Sequence, residues 1–148
     1  MQTILGATGQ IAVELARELA RSHTSDLRLV SRTPRKVNDT DVLAPADLLN
    51  AQQAADAVKG SSIVYFTAGL PPDTELWETQ FPEMLKTALA ATRAAGAKSV
   101  YCDNTYMYPQ DARVLTEEAP FEPVGRKGRV RAEMANMVLQ EMVRGDIP

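Results

Sequence analysis

Several functional classes are excluded by what this sequence has little of. Its single cysteine, Cys102, cannot form an internal disulfide, so a reducing, cytoplasmic compartment is expected. Cys102 lies in an apolar, strand-like run and reads as a small buried hydrophobe rather than a reactive thiol. The one histidine, His23, falls where a helix should end and has no acid–base or metal-ligating partner beside it, which suits a solvated or helix-terminal role. No apolar run is long enough to span a membrane or serve as a signal segment. The net charge is −3 and the basic residues form no dense run with interleaved aromatics, so nucleic acid is not an expected partner. Neither an internal repeat nor a low-complexity stretch is present. The 148 residues, 45% hydrophobic, suffice for one core and leave little for a second, so a single domain over 1–148 is expected.

What the chain does have is a glycine-bearing turn at its start. Thr3-Ile4-Leu5 is an apolar strand, Gly6-Ala7-Thr8-Gly9 a tight turn, and Gln10-Ile11-Ala12 opens a helical pattern that runs to Ala20. Such a turn gathers backbone N–H groups and the positive end of a helix at one point, where a phosphate or pyrophosphate is held. Gly6 lets the chain reverse, Gly9 leaves room for phosphate against the backbone, and Ala12 takes the third small position, where helix and strand pack. The first interval is one residue longer than in G-x-G-x-x-G.

Farther along, Ile11, Leu15, Ala16 and Leu19 give a buried helical stripe ending near Ser22-His23. Strands are expected at Asp26–Val30, Asp41–Ala44, Ser61–Ala68 and Lys98–Cys102, and a helix at Leu48–Val58 that stops at Lys59-Gly60. Pro71-Pro72 marks a loop, followed by Trp77 as either a helix anchor or a pocket wall. Phe81, Met84, Leu85, Ala88 and Leu89 form a helical face closing at Ala95-Gly96, with Pro82 expected in its first turn. Val130, Met134, Met137, Val138 and Met142 stripe a last helix, as core or interface.

Alternation of strands and helices predicts an α/β fold: a doubly wound parallel sheet of about five strands, in three layers, with the ligand crevice at the strands' carboxyl ends. The loops expected to converge there are Gly6–Ile11, Ser31–Arg35, Pro45–Leu48, Thr67–Leu70 and Asp103–Tyr108. A carboxylate after the second strand would read the ribose 2′-hydroxyl of NAD. This chain has Ser31-Arg32 instead, with Arg35 and Lys36 beyond, and a guanidinium there can pair with a 2′-phosphate and stack on adenine. NADP is therefore expected over NAD, the alternative.

Gly6-Ala7-Thr8-Gly9-x-x-Ala12, Asp47-Leu48 after the third strand, Ala68 ending the fourth, and Thr116-Glu117-x-x-Pro120-x-x-Pro123 before the last helix resemble the extended short-chain dehydrogenase/reductase superfamily. Within it, the chain is similar to the NAD-dependent epimerase/dehydratase and NmrA-like branches. The resemblance implies a Rossmann fold. It also implies that Gly6, Ala7, Thr8, Gly9, Gln10 and Ile11 form the pyrophosphate turn, Ser31 and Arg32 take the adenosine 2′-phosphate, Asp47 and Leu48 the adenine, and Ala68 and Gly69 the nicotinamide-side ribose. In the superfamily a serine or threonine after the fifth strand polarises the reacting group, and a tyrosine exchanges a proton beside a lysine four residues on. Asn104 or Thr105 stands near the serine position. With Glu133 as anchor, the tyrosine position reads Gly125 and the lysine position Arg129. The candidate catalytic set is Asn104, Thr105, Tyr108 and Arg129, with Tyr106 the other nearby phenol.

Two functional readings follow from the resemblance: an epimerase/dehydratase-like oxidoreductase lacking the family's proton-exchange pair, or a non-enzymatic NmrA-like sensor of the dinucleotide. A small-molecule substrate is the partner expected of the first. Asp146-Ile147-Pro148 reads as the approach to a sixth strand, and the resemblance implies a substrate lobe beyond it that this chain mostly lacks. The two long helices also resemble those that related proteins bury in a dimer, so a homodimer is expected, with pairing along an apolar Lys98–Cys102 edge as the other route.

Overall fold

The structure, a computed structural model, describes residues 1–145. Strands β1 (Gln2–Leu5), β2 (Leu27–Ser31), β3 (Val42–Pro45), β4 (Ile63–Phe66) and β5 (Lys98–Tyr101) form one parallel sheet in the order β3-β2-β1-β4-β5. Gln2 pairs with Leu27 on one side and Ile63 on the other; Arg28 then pairs with Val42 and Ile63 with Lys98. The chain winds outward from β1 through β2 to β3 and then crosses back to β4. That reversal opens a crevice at the carboxyl ends of β1 and β4. The proposed sixth-strand approach lies outside the described residues.

Strand alternation distributes the core. Ile4, Leu27 and Leu29 point to the face covered by α1 (Gln10–Ser22), where they meet Ala12, Ala16 and Leu19. Leu5, Val30, Val64 and Phe66 point to the opposite face, against α2 (Ala51–Val58), α3 (Thr74–Ala94) and α4 (Gly125–Arg144). The three layers expected of a doubly wound fold are thus present. Thr3, fully buried between them, hydrogen-bonds Ser61 at 2.7 Å.

Several local expectations are corrected. Ile11 is not part of the buried stripe; it is 60% exposed, because close packing at the turn is carried by Ala7 and Ala12 instead. The second helix begins at Ala51, where the Asn50 side chain accepts from Gln53 N–H, so Leu48 remains in the preceding loop. Pro82 lies inside α3. That helix starts at Thr74, capped by Asp73 through Leu76 N–H, and burial of Phe81, Pro82 and Leu85 on one face offsets the backbone hydrogen bond that proline forgoes. The last helix begins earlier than its apolar stripe and ends at Gly145 in the left-handed conformation. Within the stripe Met134 is fully buried, whereas Met142 is exposed. Cys102 is half-buried, since it sits just past the end of the edge strand β5. His23 is the exposed C-cap of α1.

Candidate functional site

The turn after β1 is fixed by its backbone. Val30 O accepts from both Gly6 N–H and Ala7 N–H, at 2.9 and 3.0 Å, and Gly6 O accepts from Gly9 N–H at 3.1 Å. Gly6 has φ +87°, and a Cβ there would come within 2.4 Å of Ala68 Cα. The turn is therefore pressed against the end of β4, whose Thr67 N–H and hydroxyl both donate to Leu5 O. Gly9 caps α1 without a side chain, so the first-turn amides of Gln10, Ile11 and Ala12 are left with no intrahelical partner. A Cβ on Gly9 would sit at ordinary contact distance from Gly6 O (3.5 Å) and Thr67 O (3.9 Å), so the fold itself does not demand glycine there.

Beside this turn lies a cavity of about 370 Å³. It brings together Gly6, Thr8, Ser31, Arg32, Asp47, Leu48, Ala68 and Gly69 from the ends of four strands. Ala7 lines a neighbouring cavity, while Gly9, Gln10 and Ile11 stand at the helix start. The Ser31 hydroxyl is buried in the protein with no hydrogen-bond partner, a group prepared for a polar ligand atom. Asp47 is held by Gln53, which accepts from its N–H, and its own carboxylate accepts from Leu49 N–H. Gln80 and Met84 of α3 also line the cavity; their place on a core-facing helix gave no sign of this in the sequence. Helix amides without intrahelical partners, an orphaned serine hydroxyl and a lining arginine suit an anionic, hydroxyl-bearing ligand such as a dinucleotide.

The candidate catalytic residues fall elsewhere. Asp103 accepts from Asn104 N–H, and the Asn104 side chain accepts from Tyr106 N–H, which turns the chain sharply after β5. Thr105 is exposed, and Tyr108 packs edge-on against Phe121 at 5.3 Å. Arg129 is exposed on α4, and Gly125 at its start has φ +75°. None of these residues lines the cavity beside the turn. Trp77 anchors this end of the molecule: its ring N–H donates to Pro71 O, its ring stacks on Tyr106 at 6.2 Å, and the Lys127 ammonium lies 5.1 Å from its centroid.

A buried ion pair that sequence reasoning missed organises the β5 loop. Arg131, 5% exposed, donates through Nε and Nη2 to Asp103 Oδ1 and lies over the rings of Phe81 and Tyr101. The Tyr101 hydroxyl is buried with no hydrogen-bond partner; burial raises its pKa well above the usual phenol value, with Arg131 acting in the opposite sense, so it stays neutral.

The family model described as NAD(P)H-binding matches residues 6–129. The chain belongs to this NAD(P)H-binding family. No curated protein matches the sequence. Among solved structures, it is similar to MoeE5 in complex with UDP-glucose and NAD, with 26% identity and a TM-score of 0.81 over 99% of this chain and 50% of that one. Uronate dehydrogenase from Agrobacterium tumefaciens superposes with a TM-score of 0.80 at 19% identity, over 97% of this chain and 56% of that one. A short-chain dehydrogenase/reductase superfamily protein from Agrobacterium tumefaciens with bound NAD gives 0.81 at 20% identity, over 99% and 46%. The chain spans about half the length of these proteins. The expected Rossmann-type fold is thus met: this is a domain of the NAD(P)H-binding family, and it shares its fold with dehydrogenases of the superfamily it resembles.

Proposed function

We propose that this member of the NAD(P)H-binding family is the dinucleotide-binding half of a nicotinamide-dependent oxidoreductase and prefers NADP to NAD. The observation that carries the preference is the end of β2, where Ser31 and Arg32 line the cavity and no carboxylate does so apart from Asp47, beyond β3. When bound, the nicotinamide supplies hydride transfer; the protein supplies position and charge. In this reading the first-turn amides of α1, beside the side-chain-free Gly9, hold the pyrophosphate. Ser31 donates to or accepts from the adenosine ribose, Asp47 and Leu48 border the adenine, and Ala68 and Gly69 border the second ribose.

Proton exchange is the step for which the chain has no family-type residue, because glycine at 125 carries no acid and the guanidinium of Arg129, exposed near the start of α4, does not reproduce a lysine's geometry. The second reading is a sensor that binds the dinucleotide without turnover; what motivates it is Gly125 itself, which offers no proton where the resemblance implies a tyrosine. Calorimetric titration with NADPH, NADP, NADH and NAD tests the shared claim. Binding that is abolished by Gly9→Val supports it, and no binding of any of the four rejects it. Hydride exchange with a carbonyl or hydroxyl substrate would then select the enzyme over the sensor.

A further inference from the structure

The first cavity, beside the glycine turn, has one wall that is held from outside the sheet. Ala68, Gly69 and Leu70 line it, and among the described residues their amides make no hydrogen bond. Pro71 and Pro72, which follow, have no N–H to give. Between Thr67, tied to Leu5 O, and Asp73, the cap of α3, the chain therefore has no hydrogen bond to any strand. Two side chains fix its far end instead. The Trp77 ring N–H donates to Pro71 O at 2.8 Å, and the Lys127 ammonium donates to Pro72 O at 2.7 Å. Lys127 also lies over the Trp77 ring, so the two donors brace one another.

This clasp ends on a helix start that its own sequence supports poorly. Val124 gives α4 no side-chain cap and the first turn has no acid, while Arg126, Lys127 and Arg129 set cations against the positive end of the helix. Order at this end comes from neighbours. Arg126 pairs with Glu78, Lys127 holds Pro72, and Gly128 sits directly on the β5 loop, where a Cβ would lie 2.8 Å from Tyr106 O. Tyr106 in turn stacks on Trp77. The cavity wall, the start of α4 and the β5 loop thus share one small set of contacts, and a change in the wall is felt by the other two.

We propose that this wall relays occupancy of the cavity to the start of α4 and the β5 loop. The inference rests on the dinucleotide reading of the cavity and adds how binding is sensed beyond it. The two states are a clasped wall and a released one. The second ribose of a dinucleotide borders Ala68 and Gly69, and its oxygens meet their free amides while the wall is clasped, so the bound ligand favours that state. Linkage makes the effect reciprocal: the factor by which the ligand stabilises the clasp is the factor by which the clasp strengthens binding. Adenosine 5′-monophosphate has no second ribose and leaves the clasp as it was.

The test is hydrogen–deuterium exchange of the intact chain, read at the starts of α1 and α4, with and without saturating NADP or adenosine 5′-monophosphate. In the wild type both ligands are expected to slow exchange at α1. NADP alone is expected to slow it at α4 and to change the emission of Trp77, the sole tryptophan. Lys127→Met removes a charge-assisted hydrogen bond and a cation–π contact, and is expected to speed unliganded exchange at α4 by roughly tenfold. It should also remove the α4 response to NADP and weaken NADP binding, while the monophosphate binds as before. Trp77→Phe keeps a ring but loses the bond to Pro71 O, and should act in the same direction. Protection of α1 by the monophosphate identifies each variant as folded, and the wild-type comparison of the two ligands needs no substitution. NADP protecting α1 but not α4, the monophosphate reproducing the α4 response, or Lys127→Met keeping that response in full overturns the relay while the dinucleotide site stands. No protection of either helix by NADP or by NAD overturns the underlying reading instead.

Discussion

Replacing Gly6 and Gly9 one at a time by alanine separates folding from binding, because the same added methyl meets opposite surroundings. At Gly6 a Cβ would lie 2.4 Å from Ala68 Cα, 2.6 Å from Ala68 N and 2.9 Å from Thr67 C, all backbone atoms. Backbone cannot rotate aside as a flexible side chain can, so β1 and β4 must separate or the turn must open. Overpacking of this kind costs about 1–3 kcal/mol. The left-handed φ of +87° adds about 1–2 kcal/mol for a residue with a Cβ. Together these approach half of a typical domain's stability of about 5–15 kcal/mol. For a chain of this size they correspond to a fall in Tm on the order of 10 °C. At Gly9, φ is −75° and the nearest neighbour of a Cβ is Gly6 O at 3.5 Å, so the fold accepts alanine almost unchanged. That methyl nevertheless occupies the space beside the unpaired amides of α1. Gly9→Ala should therefore melt within about a degree or two of wild type and bind dinucleotide at least tenfold more weakly, as expected for about 1.4 kcal/mol of lost phosphate contact. Chemical and thermal melts with a dinucleotide titration read both effects. A Gly6→Ala variant as stable as wild type, or a Gly9→Ala variant that binds normally, would refute the reasoning.

Other perturbations follow from the same geometry. Asp103→Ala leaves the Arg131 guanidinium buried without its carboxylate and should cost about 3–5 kcal/mol in a urea melt, while the double variant Asp103→Ala/Arg131→Met should recover part of it; a single-variant loss below 1 kcal/mol would show that the pair is unimportant. The Arg126 guanidinium beside Glu78 holds that carboxyl below its usual range and ties α4 to α3. Its stabilisation is present above the ordinary carboxylate pKa and lost as pH falls through the lowered one. The Tm gap between wild type and Glu78→Gln should therefore close in acid, and a gap independent of pH would contradict this. We also propose that the chain self-associates through the outer face of α4, where Met142 and Val143 are 62% and 88% exposed. Light scattering should show Met142→Glu weakening a dimer that survives Val100→Pro, and a wild-type monomer at high concentration would reject the contact. Met134 is unsuitable for that test, since it is fully buried and its replacement reports on folding.

The parts legible in the sequence were those written locally. The glycine turn, the apolar strands and the parallel order could be read because strand, turn and helix each carry their signal within a few residues. Pro82 does not mark the start of α3: the Asp73 cap sets it well before, and a proline on a buried helix face is tolerated when its neighbours pack well. Ile11 and Met142 kept helical spacing yet lie outside the core, since spacing defines a face without fixing where its buried part ends. Asp103 and Arg131 meet across the fold from β5 and α4, and the clasp of Lys127 onto Pro72 spans another such gap. Neither leaves a local pattern. The first cavity, by contrast, gathers residues from four loops whose convergence follows from sheet topology alone, which is why most of its lining could be named in advance.

The most direct test of the account is calorimetric titration of the purified chain with NADP and with NAD under identical conditions. The account predicts one dinucleotide per chain, bound more tightly when it carries the 2′-phosphate. Absence of binding by either cofactor would contradict the site itself, and tighter binding of NAD would contradict the role given to the basic groups around the end of β2.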